Sequence, residues 1–256
     1  MVDLKLDSVS ARKAEQFVLK EVSLTQTAGQ LTAIIGPNGA GKTSLLEAIL
    51  GLLPIAAGSV CIDSQPVKEV PHTDLAKLIA YLPQARPLAW PLRVIDTVAM
   101  GRFAWGGTMG RLSLDDAEII NDALAKCEIQ HLKDRPTDQL SGGELARIHC
   151  ARVFAAQTPI MLADEPVTAL DPKHQLKIMS LIQNYVREGN SALVIMHDIS
   201  LAARFSDRLI WMKEGKIMAD GPPAKTVTET QIETIFGIGA QVQWRDKIPL
   251  IITRSL

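Results

Sequence analysis

Apolar and polar positions alternate at the start of the chain, at Leu4, Leu6 and Val9 and again at Val18, Leu19, Val22 and Leu24. A spacing near two marks half-buried strands, so this stretch predicts an antiparallel hairpin region. The next apolar run, LTAII at residues 31–35, is rich in β-branched residues and stops at Gly36. From Gly41 the spacing lengthens, and Leu45, Leu46, Ile49 and Leu53 recur at helical intervals. Strand, glycine loop and helix in that order open an α/β unit with a parallel sheet.

Two later runs are continuously apolar rather than alternating: residues 160–163 leading into Asp164, and residues 192–196 leading into His197. That texture predicts strands covered on both faces. Both end in polar residues, and ligands gather at the carboxyl ends of strands in open parallel sheets. Between Arg86 and Leu140 the pattern changes. Residues 86–112 are rich in Gly, Arg and aromatics, and residues 114–129 place Ala117, Ile120, Leu124 and Cys127 on one helical face. This reads as a helical insertion, about residues 86–155, in an α/β domain. After the break at Gly221-Pro222-Pro223, a helix is expected near residues 228–236, then a small hairpin in VQWRDKIPLIITRSL.

Composition narrows the function classes. The 256 residues carry 27 Lys and Arg against 28 Asp and Glu, a balance that argues against a dedicated nucleic-acid binder. Cys61, Cys127 and Cys150 are far apart, form no CxxC pair and are odd in number, so reduced thiols are expected rather than a zinc site or a disulfide framework. The charged opening MVDLKLDSVSARK lacks the apolar stretch of a signal peptide. Nor is there an apolar run of ~18 residues. Work at a membrane therefore calls for a partner that holds the chain there.

Three segments carry chemistry. Gly36-Pro37-Asn38-Gly39-Ala40-Gly41-Lys42-Thr43 fits G-x-x-x-x-G-K-[ST] between a strand and a helix. Glycines let the backbone wrap close to phosphates, Lys42 reaches the β and γ phosphates, and the Thr43 hydroxyl binds Mg²⁺. The plainer alternative is a glycine-rich turn that starts a helix. Asp164 and Glu165 close a strand, where one carboxylate suits a magnesium shell and the next can polarise a water. Acidic residues at a strand end also serve only as loop solvation. Ser141 and Glu144 read as a capping box ahead of Leu145, Ile148 and Phe154. A cap does not explain Gly142 and Gly143, which cost stability in a first helical turn. Exposed backbone N–H groups there suit a phosphate that approaches from outside.

GPNGAGKT, LSGGE and LADEP, in this order and spacing, resemble the Walker A, signature and Walker B motifs of the ATP-binding cassette ATPases. The likeness covers roughly the first 220 residues. It implies a P-loop NTPase fold: a mixed, mainly parallel sheet flanked by helices, an N-terminal antiparallel β region and an inserted helical subdomain. Residues 1–220 then form the ATPase domain and 221–256 a short C-terminal extension. The resemblance implies ATP and Mg²⁺ as ligands, with residues 36–44, Ser44 included, holding the nucleotide. Thr43, Gln84 and Asp164 would attend the Mg²⁺, and Glu165, His197 and Gln84 would serve hydrolysis. Asp171 in ALDP resembles the aspartate of the loop that crosses the dimer interface. In the family two copies sandwich two ATP molecules, so Ser141, Gly142, Gly143 and Glu144 would meet the ATP held by the other copy.

The chain departs from the pattern in two places. No Tyr lies near residues 10–14 to stack on adenine, which leaves Arg12 and Phe17 as candidates. The signature ends in Glu144 where Gln is more usual. Residues 94–111, with the phrase TV-x-MGR, and the tail beginning DGPPAKTV resemble the subgroup that powers import of iron chelates, haem and cobalamin. That implies separate integral membrane permease subunits, a periplasmic or extracellular substrate-binding protein, and a peripheral place on the cytoplasmic side of the plasma membrane. Trp90, Arg93, Arg102, Phe103, Trp105 and Arg111 either line a groove for a permease helix or belong to a solvated or packed insert. The alternative is a soluble cassette ATPase of translation or repair. Such proteins usually carry two cassettes or a long coiled coil.

Overall fold

The computed structural model describes residues 2–84, 91–107, 112–246 and 248–254. The elements run β1 (Leu4–Lys13), β2 (Gln16–Gln26), β3 (Leu31–Ile35), α1 (Lys42–Ile49), β4 (Ile55–Ile62), β5 (Gln65–Pro66), α2 (His72–Leu78) and β6 (Ile79–Leu82). Next come α3 (Val94–Ala99), α4 (Leu114–Lys126), α5 (Gly142–Ala155), β7 (Ile160–Asp164), α6 (Pro172–Arg187), β8 (Ser191–Ile195) and α7 (Ile199–Phe205). The chain closes with β9 (Arg208–Lys213), β10 (Lys216–Gly221), α8 (Pro223–Thr226), α9 (Glu229–Phe236), β11 (Gly239–Arg245) and β12 (Ile248–Arg254). Contacts divide it into residues 1–70 with 191–256, and residues 71–190.

In the first unit, β1 pairs antiparallel with β2 and β4. The buried positions Leu4, Leu6, Val9 and Ala11 are spaced two, three and two apart, and the odd step is a bulge. Leu6 faces Leu24 and Val9 faces Val22, with Ser8 at φ 49° taking up the extra residue. A second bulge at Glu21 does the same on β2, so both strands keep their apolar sides inward. Beside this antiparallel sheet, β3 runs parallel to both β8 and β9, and β10 returns antiparallel on β9. All five residues of β3 and of β8 are buried, as their unbroken apolar runs predict. Helix α1 ends at Ile49, and Gly51 at φ 69° turns the chain away. Leu53 is buried, but it lies beyond the helix that its spacing suggested. The final hairpin is present and longer than expected, from Gly239 to Arg254.

In the second unit, β6 runs parallel to β7, whose five residues are all buried. Helix α4 starts on the Ser113–Asp116 capping box and buries Ile120, Ala123 and Leu124, and Cys127 caps its end. Helix α6 starts on Asp171 with Pro172 in its first turn, where a missing N–H costs nothing. No helix among the described residues is long and apolar enough to cross a membrane.

Candidate active site

The glycine loop sits directly after β3 in the first unit, and its shape follows from its residues. A Cβ on Gly36 would fall 2.2 Å from the Met212 carbonyl oxygen, so only glycine fits where the loop leaves the sheet. Gly41, at φ 98°, caps α1, and a Cβ there would meet the Val18 carbonyl oxygen at 2.5 Å. Lys42 is buried and folds back across the loop, donating to the Gly36 carbonyl at 2.7 Å and the Pro37 carbonyl at 2.9 Å. Asn38, Gly39 and Thr43 are exposed, whereas Ala40 and Ser44 are buried. The tip of the loop therefore faces solvent while its base is anchored.

His197 follows β8 in the same unit and is exposed. Ile34 of β3 pairs with Ile195 of β8, and Gly36 and His197 each follow two residues later, past the ends of the strands. Asp198 caps α7 through the Leu201 N–H at 2.9 Å and fixes the turn that follows the histidine. On β1 and β2, Arg12 and Phe17 are register partners, and the guanidinium lies 4.0 Å from the ring centroid. The two adenine candidates thus form one flat stack.

In the second unit, Asp164 ends β7 buried and Glu165 follows it half-buried. Glu165 has φ 49°, a left-handed conformation that a carboxylate residue seldom takes without surrounding support. That support includes the Gln84 amide, donating to Glu165 Oε2 at 2.6 Å, and the Thr168 hydroxyl at 3.0 Å. Gln84 lies two residues past β6 and Glu165 one past β7, so the parallel pair delivers both to one strand end. Thr168 was not singled out by the sequence. Its place three residues after Glu165 was the available signal.

At the start of α5 the Ser141–Glu144 capping box is complete. Glu144 Oε2 accepts from the Ser141 N–H at 2.8 Å and its hydroxyl at 2.7 Å, and these bonds hold the carboxyl below its ordinary range. The two glycines behave differently. A Cβ on exposed Gly142 would meet nothing within 4 Å, whereas one on buried Gly143 would strike the His174 ring, with Cδ2 at 2.4 Å. His174 had no place in the sequence reading, although its i+3 distance from Asp171 marks a cap. Asp171 accepts the His174 N–H at 3.0 Å and the ring Nδ1–H at 2.7 Å, and both bonds depress its carboxyl.

The insert sorts itself by burial. Arg102 is buried and ion-paired with Asp116 at 2.7 Å, and it also donates to the Ala155 carbonyl, so it is an internal brace. Arg93 is exposed on Asp96. Phe103 and Trp105 stay 47% and 45% exposed, and Trp105 Nε1 is tied to the Ala156 carbonyl. Trp90 and Arg111 lie outside the described residues.

Residues 19–168 match the family model described as ABC transporter. The hemin import ATP-binding protein HmuV of Nocardia farcinica (strain IFM 10152) is 39% identical over 219 residues, 86% of this chain and 75% of that protein. The petrobactin import ATP-binding protein YclP of Bacillus subtilis (strain 168) is 35% identical over 247 residues, 96% of each chain. A solved dimeric ATP-binding cassette in a post-hydrolysis state, bound to ADP and Pi, is 30% identical with a TM-score of 0.73, over 86% of this chain and 98% of that one.

Proposed function

The chain belongs to the ABC transporter family and is an ATPase, and from that premise we propose that it powers an importer for an iron chelate, haem or cobalamin through separate membrane permease subunits. The relatives named for hemin and petrobactin import favour uptake over the soluble translation or repair alternative. The observation that carries the motor reading is Gly142. Glycine in a first helical turn costs stability, and no contact among the described residues requires it there, so the open space is read as serving something from outside.

On this reading each ATP is held by residues 36–44 of one copy and by Ser141, Gly142 and Gly143 of the other. The exposed N–H groups of the loop and Lys42 bind the triphosphate. The stack of Arg12 on β1 with Phe17 on β2, the strand that packs against Gly41, offers a face to the base. Thr43 in the first unit, and Asp164 and the Gln84 amide oxygen in the second, each offer an oxygen donor of the kind Mg²⁺ takes alongside phosphates, and the ion when bound would neutralise phosphate charge. Glu165 accepts a proton from the attacking water. His197 donates toward the γ-phosphate, and Asp171 lines the contact between copies. Loss of the γ-phosphate removes the shared ligand and lets the copies part.

Residues 86–155 act as a helical insertion in an ATPase domain of residues 1–220, with residues 221–256 a short extension. The exposed Phe103 and Trp105 anchor a permease helix, which holds the chain on the cytoplasmic face of the membrane. A substrate-binding protein acts through the permease. Copurification tests this: a polytopic membrane subunit is expected, and ribosomes or nucleic acid in its place would refute import.

A further inference from the structure

We propose that His174 is a positioning residue, a wedge that locks the tip of α5 to the loop carrying Asp171 so that both present themselves to the partner copy as one body. The histidine has two working edges. Its backbone N–H and ring Nδ1–H both go to the Asp171 carboxylate, at 3.0 Å and 2.7 Å. A carboxylate can only accept, so Nδ1 carries a proton. The opposite edge of the ring faces Gly143, where a Cβ would come within 2.4 Å of Cδ2 and 2.7 Å of both Cγ and Nε2.

The two signature glycines therefore answer to different demands. Gly142 leaves room for what arrives from outside, and Gly143 leaves room for His174. A methyl on Gly143 could be accommodated only if the ring withdrew. The ring cannot withdraw without stretching its bond to Asp171, so position at the helix tip and position of the loop are coupled. Backbone N–H groups at a helix start bind phosphate well only when held in place, and the wedge supplies that rigidity. Glutamine could keep one hydrogen bond but not the contact of the ring edge with the glycine.

This inference rests on the reading that two copies clasp ATP between them. It is tested on the full chain in the Glu165→Gln background, by sedimentation with ATP and Mg²⁺ and by titration of a fluorescent ATP analogue at concentrations that keep the chain monomeric. His174→Ala is expected to weaken ATP-dependent association about tenfold while leaving monomer affinity unchanged, a split that general loss of structure would not give. Gly143→Ala should weaken association similarly. The double variant should lose clearly less than the sum, because removing the ring makes room for the methyl. Additive losses, or a His174→Ala chain that associates like its parent, would overturn the wedge and leave the ATP clasp standing. A parental chain that binds ATP yet stays monomeric would remove both.

Discussion

The Gln84 amide donates to Glu165 Oε2 at 2.6 Å, joining the second residue past one parallel strand to the first residue past its neighbour. The amide N–H needs an acceptor, and the contact fixes where Glu165 Oε2 sits at the strand end. Glu165 itself has a left-handed backbone conformation, and the contact ties its side chain to the neighbouring strand end. Glu165→Gln keeps the size of the side chain and removes the base. It should retain ATP affinity and lose about 10²–10⁴ of the turnover, measured as steady-state phosphate release. Turnover at the parental rate would exclude Glu165 from the chemistry.

Gly36 and Gly142 should respond to alanine in opposite ways. Gly36→Ala places a methyl against the Met212 carbonyl, a backbone collision that no rotamer relieves, and it should destabilise the fold in urea titrations. Gly142→Ala meets no atom and improves helix propensity, so the monomer should gain up to ~1 kcal/mol. The same variant should lose ATP-dependent association. If it dimerised normally, the open space at Gly142 would have no bearing on function.

The brace between Arg102 and Asp116 should dominate the stability of the insert. Both side chains are buried, and the Arg102 hydrogen bond, followed by that of Ser113, depresses the Asp116 carboxyl. Removing one partner strands the other charge, so Arg102→Ala should cost about 3–5 kcal/mol by chemical denaturation. A depressed folded pKa contributes stability above the unfolded value of ~4, and that stability is lost as pH falls through the folded value. The gap between the parent and Asp116→Asn should accordingly be full at neutral pH and close below about pH 4. A gap that held constant to low pH would show that the pair is not ionic.

Lys42 makes its own case. Its ammonium sits on two carbonyls at the base of the loop, a compact charge with donors that can turn toward phosphate. Lys42→Ala should reduce ATP affinity at least tenfold in equilibrium titration, and Lys42→Arg should not restore it, because a planar fork does not fit the site. Full recovery by arginine would reduce Lys42 to a general positive charge.

Much of this was legible because local rules and the fold agree. Leu4, Leu6 and Val9 read as simple alternation, and only the pairing shows that the longer step to Val9 is a bulge, whereas the unbroken runs before Asp164 and His197 are strands as their texture predicts. Capping at Ser141 could be read from Glu144 three residues on, and the same box at Ser113 and Asp116 came with the structure. What escaped depends on partners distant in sequence. Arg102 could be an anchor or a brace until Asp116 and the Ala155 carbonyl are seen around it. Gly143 resembled Gly142 until the His174 ring appeared 31 positions downstream. One-dimensional spacing records which face a residue takes, and it does not record what lies opposite.

The claim that two copies share each ATP is tested most directly by a disulfide between them. Chains carrying Asn38→Cys and chains carrying Leu140→Cys, each with Glu165→Gln, are mixed under mild oxidation. Rapid cross-linking should appear with ATP and Mg²⁺ and be absent with ADP. Equal cross-linking with either nucleotide, or none with ATP, would contradict the shared site.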